Sequence, residues 1–138
     1  MSGPLSKGQV MPNITVKPDC KNAPKKALLR DFISAFTHAD IEGVLSPMSD
    51  DIVWNLVGDS VIEGKDNVRA LLEAMKGAGT SDLVIESIIT HGREASVNGV
   101  IRSNSGQAHA FCDVVQFTSA ASMKIKTMTS YSIALDDE

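Results

Sequence analysis

One carboxylate lies in the middle of a long apolar run, residues 109–117, whose composition predicts a β-strand. Because side chains alternate along a strand, Asp113 shares a face with His109, Phe111, Val115 and Phe117. Both faces of the run are mostly apolar, which predicts a central strand covered on both sides. Burial disfavours an ionised carboxyl, so the pKa of Asp113 is expected to rise. We therefore predict a pocket around Asp113, which would act as an acid, a base or a polar anchor. The alternative is a structural carboxylate that is hydrogen-bonded to a neighbouring element.

Two further side chains are candidates to assist Asp113. His109 lies two positions away on the same face, at an expected Cα separation of about 7 Å, close enough for linked hydrogen bonding. The alternative is a partly exposed, inert histidine. Tyr131, the only tyrosine, could place its hydroxyl at the pocket mouth. The alternation in this strand leaves a second option, in which Met128, Ser130 and Ser132 turn inward instead.

Other chemistry is weakly represented. The three histidines show no metal-ligand spacing with cysteines or acids, so no metal is expected. Cys112 falls on the face opposite Asp113 and is expected to be a small core residue rather than a nucleophile. Proton transfer needs only a positioned acid or base and excluded water, so no cofactor is expected.

Composition narrows the class of protein. With 138 residues, the chain has the length of one domain. Two cysteines far apart in sequence indicate a reduced, cytoplasmic setting. With 13 basic and 17 acidic residues, the chain lacks the excess of positive charge that is typical of nucleic-acid-binding proteins. No apolar run approaches the roughly 18 residues that span a membrane, and the first residues lack a signal peptide core.

Proline and glycine separate an N-terminal arm, residues 1–22, from a single domain, residues 23–138. The arm has two β-like pieces, residues 9–11 and Asn13–Val16, which could add to a sheet edge or cross to a partner subunit. A loosely ordered tail is the alternative. The domain opens with helical patterns: one begins after an Asn22 cap, one after an Asp40 cap, and one covers residues 65–75. A strand at 50–59 and an extended piece at 61–64 separate the second and third patterns.

From residue 81 onward the hydrophobic period becomes strand-like. Four strands are predicted, at residues 82–90, 95–102, 108–118 and 123–133, joined by short polar connectors that are typical of hairpins. Three helices followed by a meander on a bent sheet predict an α+β fold.

Four stretches of the chain resemble the nuclear transport factor 2-like superfamily, in particular its SnoaL-like and ketosteroid-isomerase-like branches. They are residues 32–45 with the turn His38-Ala39-Asp40-Ile41-Glu42, then Asp50-Asp51-Ile52-Val53-Trp54, Ile62-Glu63-Gly64-Lys65-Asp66-Asn67-Val68, and Asp113-Val114-Val115-Gln116-Phe117 followed by Lys126-Thr127-Met128. The resemblance covers residues 28–131. It implies a cystatin-like cone, in which a curved, mostly antiparallel sheet wraps around three N-terminal helices and leaves an apolar pocket at the wide end.

Seven residues are expected to line this pocket: Phe32, Phe36, Trp54, Leu56, Phe111, Val115 and Met128. The indole of Trp54 could stack on a ligand and orient it through its N–H, with ordinary core packing as the alternative.

The resemblance also implies which reactions are absent. Steroid isomerases carry their general base near the end of the first strand, where this chain has Asn55 and Leu56, and an oxyanion-binding tyrosine where it has Phe32. Only a carboxyl on the long central strand matches, at Asp113. The epoxide-hydrolase branch uses an Asp-Arg-Asp set, but residues 95–102 hold no Arg-x-Asp pair, and Ser130 stands near another of its acids. Neither activity is expected.

Two functions remain open. The first is a small-molecule-binding protein with an apolar pocket, acting as an isomerase, cyclase or dehydratase on a small carbonyl or hydroxyl compound. The second is a non-catalytic module that binds or associates as a homodimer through the sheet. An open pocket that contains both Asp113 and Trp54 would favour the first, and a pocket plugged by Met75, Met123 or Met128 would favour the second.

Overall fold

The computed structural model describes residues 12–76 and 79–135. Its three helices are α1 (Pro24–Thr37), α2 (Ile41–Leu45) and α3 (Lys65–Ala74). Its seven strands are β1 (Asn13–Val16), β2 (Met48–Leu56), β3 (Ser60–Glu63), β4 (Thr80–His91), β5 (Glu94–Ser103), β6 (Ala108–Phe117) and β7 (Ile125–Leu135). The described part of the chain therefore has the predicted α+β composition, with strand bounds that differ from the prediction by a few residues.

One sheet contains all seven strands, in the order β1-β4-β5-β6-β7-β2-β3. The predicted meander is confirmed, because β4 to β7 are consecutive antiparallel neighbours. Two pairings are parallel: β2 with β7, and β1 with β4. The described part of the arm thus adds to a sheet edge, which was one of the predicted alternatives. The other β-like piece, residues 9–11, lies outside the described residues.

The first two helices differ at their N-terminal caps. Asp40 caps α2 as predicted, since its carboxylate accepts a hydrogen bond of 3.1 Å from the Gly43 N–H. The predicted Asn22 cap of α1 is wrong. Ala23 occupies the cap position without a side-chain hydrogen bond, and Asn22 lies one residue too early, with a φ of 57°. The proline that follows needs no amide partner in the first turn.

The curved sheet places its core on one side only. Phe32 and Leu29 of α1 are fully buried against the concave face, where Val115 and Phe117 of β6 point. Strand β6 is central, as predicted. Cover on both of its faces was also predicted, but the described part of the chain covers only one of them. Val114, on the opposite face, remains 42% exposed because none of the helices lies over the convex side.

Candidate functional site

The β6–β7 hairpin brings the candidate carboxyl opposite a serine. Asp113 and Ser130 are direct cross-strand partners, and both side chains point to the concave side. The next concave pair along the hairpin consists of Phe111 and Ser132. The register therefore sets two hydroxyls beside one carboxyl on an otherwise apolar surface.

Asp113 is the only charged residue among the buried side chains that the structure describes. Its exposed fraction is 9%. Burial raises the pKa of this carboxyl from its ordinary value of 3.8 to about 6, and hydrogen bonding to the Ser130 hydroxyl opposes part of that rise. At neutral pH the group is mostly ionised, yet it is a stronger base than an exposed aspartate.

A short polar chain fixes this carboxyl. The indole N–H of Trp54 donates to the Ser130 Oγ at 2.8 Å, which leaves the serine O–H to donate to Asp113. Trp54 itself is held by the ring of Phe36, whose centroid lies 5.5 Å away. We expected the indole N–H to orient a ligand. In the structure it orients Ser130 instead.

The side chains around Asp113 form a cavity of about 260 Å³, here called the inner cavity. It is open to solvent on one side. Its polar residues are Asp113, Ser130 and Ser132. Its apolar residues are Ile33, Phe36, Trp54, Met75, Ile101, Phe111 and Met128. Asp113 and Trp54 therefore share one open cavity, which Met75 and Met128, two of the three methionines named as possible plugs, also line.

Four of the seven predicted lining residues contribute to the inner cavity: Phe36, Trp54, Phe111 and Met128. The other three do not. Phe32 is fully buried in the core beside the ring of Phe36, and the cavity that it helps to line is a separate groove at α1. Val115 is fully buried in the core beneath the cavity. Leu56 packs, partly buried, against that core at the end of β2.

Three apolar residues were absent from the predicted lining set. Ile33 is buried on α1, and Ile101 pairs with His109 across β5 and β6. Only the strand register, which sequence patterns do not fix, could have placed Ile101 here. Met75, the last residue of the third predicted helix, is 48% exposed at the end of α3 and lines the cavity.

His109 does not join Asp113, and the expected separation of about 7 Å is wrong. Four strand residues at about 3.3 Å each place the two Cα atoms about 13 Å apart. The histidine lines a second cavity, of about 390 Å³ and here called the outer cavity, between β5, β6 and the helices α2 and α3. Linked hydrogen bonding with Asp113 is therefore not supported.

Tyr131 is also separate from the candidate site. It pairs with Cys112 on the convex face of the hairpin and is 48% exposed. The predicted alternative is correct, since Ser130 and Ser132 turn inward in its place. Burial, together with the charge of Asp113, raises the pKa of the Cys112 thiol, which makes it a poor nucleophile.

Across residues 12–76 and 79–135, no three His, Cys, Asp or Glu side chains come together as a metal would require. None of the helices described there is long and apolar enough to cross a membrane.

Comparison with known proteins identifies relatives of this architecture. The family model described as a SnoaL-like domain matches residues 29–127. A structure from Cytophaga hutchinsonii, described as an NTF2-like protein of unknown function, is 26% identical, with a TM-score of 0.60, and the match covers 79% of this chain and 99% of that one. No curated protein sequence matches the chain.

Two solved structures with named activities share the fold at lower identity. A putative SnoaL-like polyketide cyclase from Shewanella denitrificans is 15% identical, with a TM-score of 0.69 and coverage of 81% of this chain and 92% of that one. An LEH-like epoxide hydrolase from M. tuberculosis is 21% identical, with a TM-score of 0.66 and coverage of 79% and 82%. At these identities the likeness establishes a common fold.

Proposed function

The chain belongs to the SnoaL-like domain family, and from this we propose that it is a cofactor-independent enzyme of proton transfer. Its substrate would be a small, mostly apolar carbonyl or hydroxyl compound bound in the inner cavity. Asp113 would act as the general base. The reaction would be an isomerisation, a cyclisation or a dehydration, because each of these can begin with removal of a proton beside a carbonyl.

One observation carries this proposal: a buried carboxyl with a pKa of about 6 lines an open, largely apolar cavity. A base is most effective when its pKa lies near the working pH. Structural carboxylates usually have strong donors that lower their pKa, whereas Asp113 has one serine hydroxyl, whose effect is smaller than that of burial. Because burial outweighs the hydrogen bond from Ser130, the carboxyl is suited to exchange a proton.

The proposed step uses only residues that line the cavity. The Asp113 carboxylate takes a proton from the carbon beside the carbonyl, and the C–H electron pair forms the new C=C bond of an enolate. The same carboxyl, now protonated, returns the proton at another carbon in an isomerisation. The Ser132 hydroxyl is the remaining donor that could face the substrate oxygen, since Ser130 already donates to Asp113.

The size of the cavity limits the substrate. About 260 Å³ lies below the roughly 300–1,000 Å³ of sites for drug-sized ligands. A compound with one or two rings fits this volume. The inner cavity has one carboxyl and no arginine among its described lining residues, so proton transfer is better supported than the hydrolysis named for the M. tuberculosis structure.

The test is exchange of α-protons in heavy water. Cyclopentanone and 2-cyclohexenone would be incubated with the protein in D₂O, and loss of the α-proton signals followed by NMR. We expect the wild type to accelerate exchange and Asp113→Asn to reduce this acceleration at least about 100-fold while ketone binding is retained. The wild-type rate should rise with pH through about 6, because only the carboxylate accepts a proton.

Asp59→Asn provides the matched control, since it removes an exposed carboxyl from a turn outside both cavities. It should exchange like the wild type. If the ketones bind but exchange no faster than in buffer, the assignment of Asp113 as a base is wrong. If no ketone binds, the inner cavity is not the site.

A second candidate function is association through the sheet, and the convex face favours it. Val114, Tyr131 and Ile133 are exposed there at 42%, 48% and 68%. The outward-facing residues between them on β5 to β7 are uncharged. We propose that this face forms a two-fold homodimer interface, which would leave both inner cavities free on the concave sides. Molar mass in solution tests this.

A further inference from the structure

We propose that the inner and outer cavities are the two halves of one binding site, and that its ligand is elongated, with a polar group at each end. The inner end would carry the hydroxyl or carbonyl that faces Asp113. The outer end would carry a carboxylate that accepts a hydrogen bond from His109. This inference rests on the proposed function and names the class of molecule that would use it.

The two cavities are neighbours and share a wall of three side chains. Phe36, Met75 and Ile101 line both of them. Phe36 is held in place by ring contacts, with the centroid of Phe32 5.1 Å away and that of Trp54 5.5 Å away. Met75 is different, because it is half exposed and its helix ends one residue before it.

Met75 is therefore the movable part of this wall. Its side chain is unbranched and has three rotatable bonds, so it can change rotamer without moving the backbone. A rotation that removes it from the wall would join the two cavities along the face of β6. The joined space would run from Asp113 to His109, about 13 Å apart at Cα.

His109 is one of three titratable residues that line the outer cavity, together with Asp40 and Lys76. The imidazole is half-buried, and no hydrogen bond joins it to another side chain or to the backbone within residues 12–76 and 79–135. The Ser103 hydroxyl lines the same cavity, while Ile41, Val44 and Leu72 cover its other side. An imidazole without a protein partner can donate to a ligand acceptor, and a carboxylate gives the stronger bond.

Two series of phenols test this arrangement. One consists of 4-hydroxyphenylalkanoic acids with two to seven methylenes, and the other of 4-alkylphenols of the same lengths. Binding would be measured by calorimetry for the wild type, for His109→Leu, and for His91→Leu as the control. His91 is exposed at the end of β4 and lines neither cavity.

We expect the longer acids to bind the wild type about tenfold more tightly than the alkylphenols of equal length, the effect of one hydrogen bond to a charged group. The shortest acid should show no gain, because it cannot pass the wall. His109→Leu should abolish the gain and leave alkylphenol binding unchanged, whereas His91→Leu should behave like the wild type. The acids should also displace a ketone from the inner cavity.

The failures of the two proposals give different results. If alkylphenols bind but acids of every length bind no more tightly, the joined site is wrong and the proposed function stands. If His109→Leu keeps the gain, the assignment of His109 as the carboxylate donor is wrong, because Lys76 lines the same cavity. Acids that bind through His109 without displacing a ketone would occupy the outer cavity alone, which also overturns the joined site. If neither series binds, the joined site is wrong, and the ketone exchange experiment alone decides the proposed function.

Discussion

The buried carboxyl of Asp113 lowers stability when it is ionised, and the proposed function needs it in that ionised form. In the unfolded chain it would titrate near its ordinary pKa of 3.8, and in the folded protein it titrates at about 6. Between these values the folded state binds more protons than the unfolded state, so stability falls as pH rises. Well below pH 3.8 both states are protonated and the penalty is absent. Above pH 6 the penalty is complete.

This conflict gives a stability prediction for Asp113→Asn. A shift of about two pKa units corresponds to about 3 kcal/mol, so the variant should be more stable than the wild type by up to this amount at pH 8. The advantage should fall to about 0.5 kcal/mol at pH 4, close to the pKa of the unfolded chain. Urea unfolding at both pH values measures it, and the control Asp59→Asn should show no such difference between the two pH values. An advantage of equal size at pH 4 would mean that ionisation is not its cause.

At the residue scale, the sequence was sufficient to find Asp113 but not its partners. A single acid within an apolar, strand-like run can be recognised directly in the sequence. The role of Ser130 depends on the β6–β7 register, in which Asp113 and Ser130 are paired. A shift of one residue would place Tyr131 in the cavity instead. The expected contact with His109 failed for a simpler reason, since same-face neighbours on a strand are two residues apart and His109 is four away.

At the element scale, the predicted helices and meander match the structure because hydrophobic periodicity reports which face of each element is buried. Curvature is not encoded in that pattern. Irregular pairing bends a strand, and one such irregularity is the register shift of β4 against β5 between Ile85 and Ser87. Gly99 lies opposite Ile85 at this point. A Cβ on Gly99 would overlap the carbonyl oxygen of Val84, so only glycine allows the strands to approach this closely.

Gly99→Ala should therefore destabilise the protein by about 2 kcal/mol or more, because the obstacle is backbone and cannot rotate away. The midpoint of urea unfolding measures this loss. Ser96→Ala is the matched control on the same strand, and its effect should stay within about 0.5 kcal/mol. Ile101 lies two residues from Gly99 and lines both cavities, so affinity for ketones should fall as well. Unchanged stability in Gly99→Ala would show that the two strands can separate freely.

At the scale of the whole molecule, the two faces of the sheet differ in what covers them. The concave face holds the core and both cavities, and the convex face is left uncovered by the helices. The sequence predicted cover on both sides of β6, because both faces are apolar. Within one chain only half of that prediction is met. A second copy of the chain on the convex face would supply the missing half and bury Val114, Tyr131 and Ile133.

The proposed dimer is tested by a charge on that face. Ile133→Lys places an ammonium at the most exposed of these apolar positions, and its burial without a partner is unfavourable enough to separate the subunits. Light scattering after size exclusion should give the mass of two chains for the wild type and about 14.7 kDa, one chain, for the variant.

Val61→Lys is the control, because Val61 is 55% exposed on β3, at the far edge of the sheet. A wild type of single-chain mass, or a dimer that survives Ile133→Lys, would place the interface elsewhere. Retained α-proton exchange in a monomeric Ile133→Lys would show that each cavity works within one subunit.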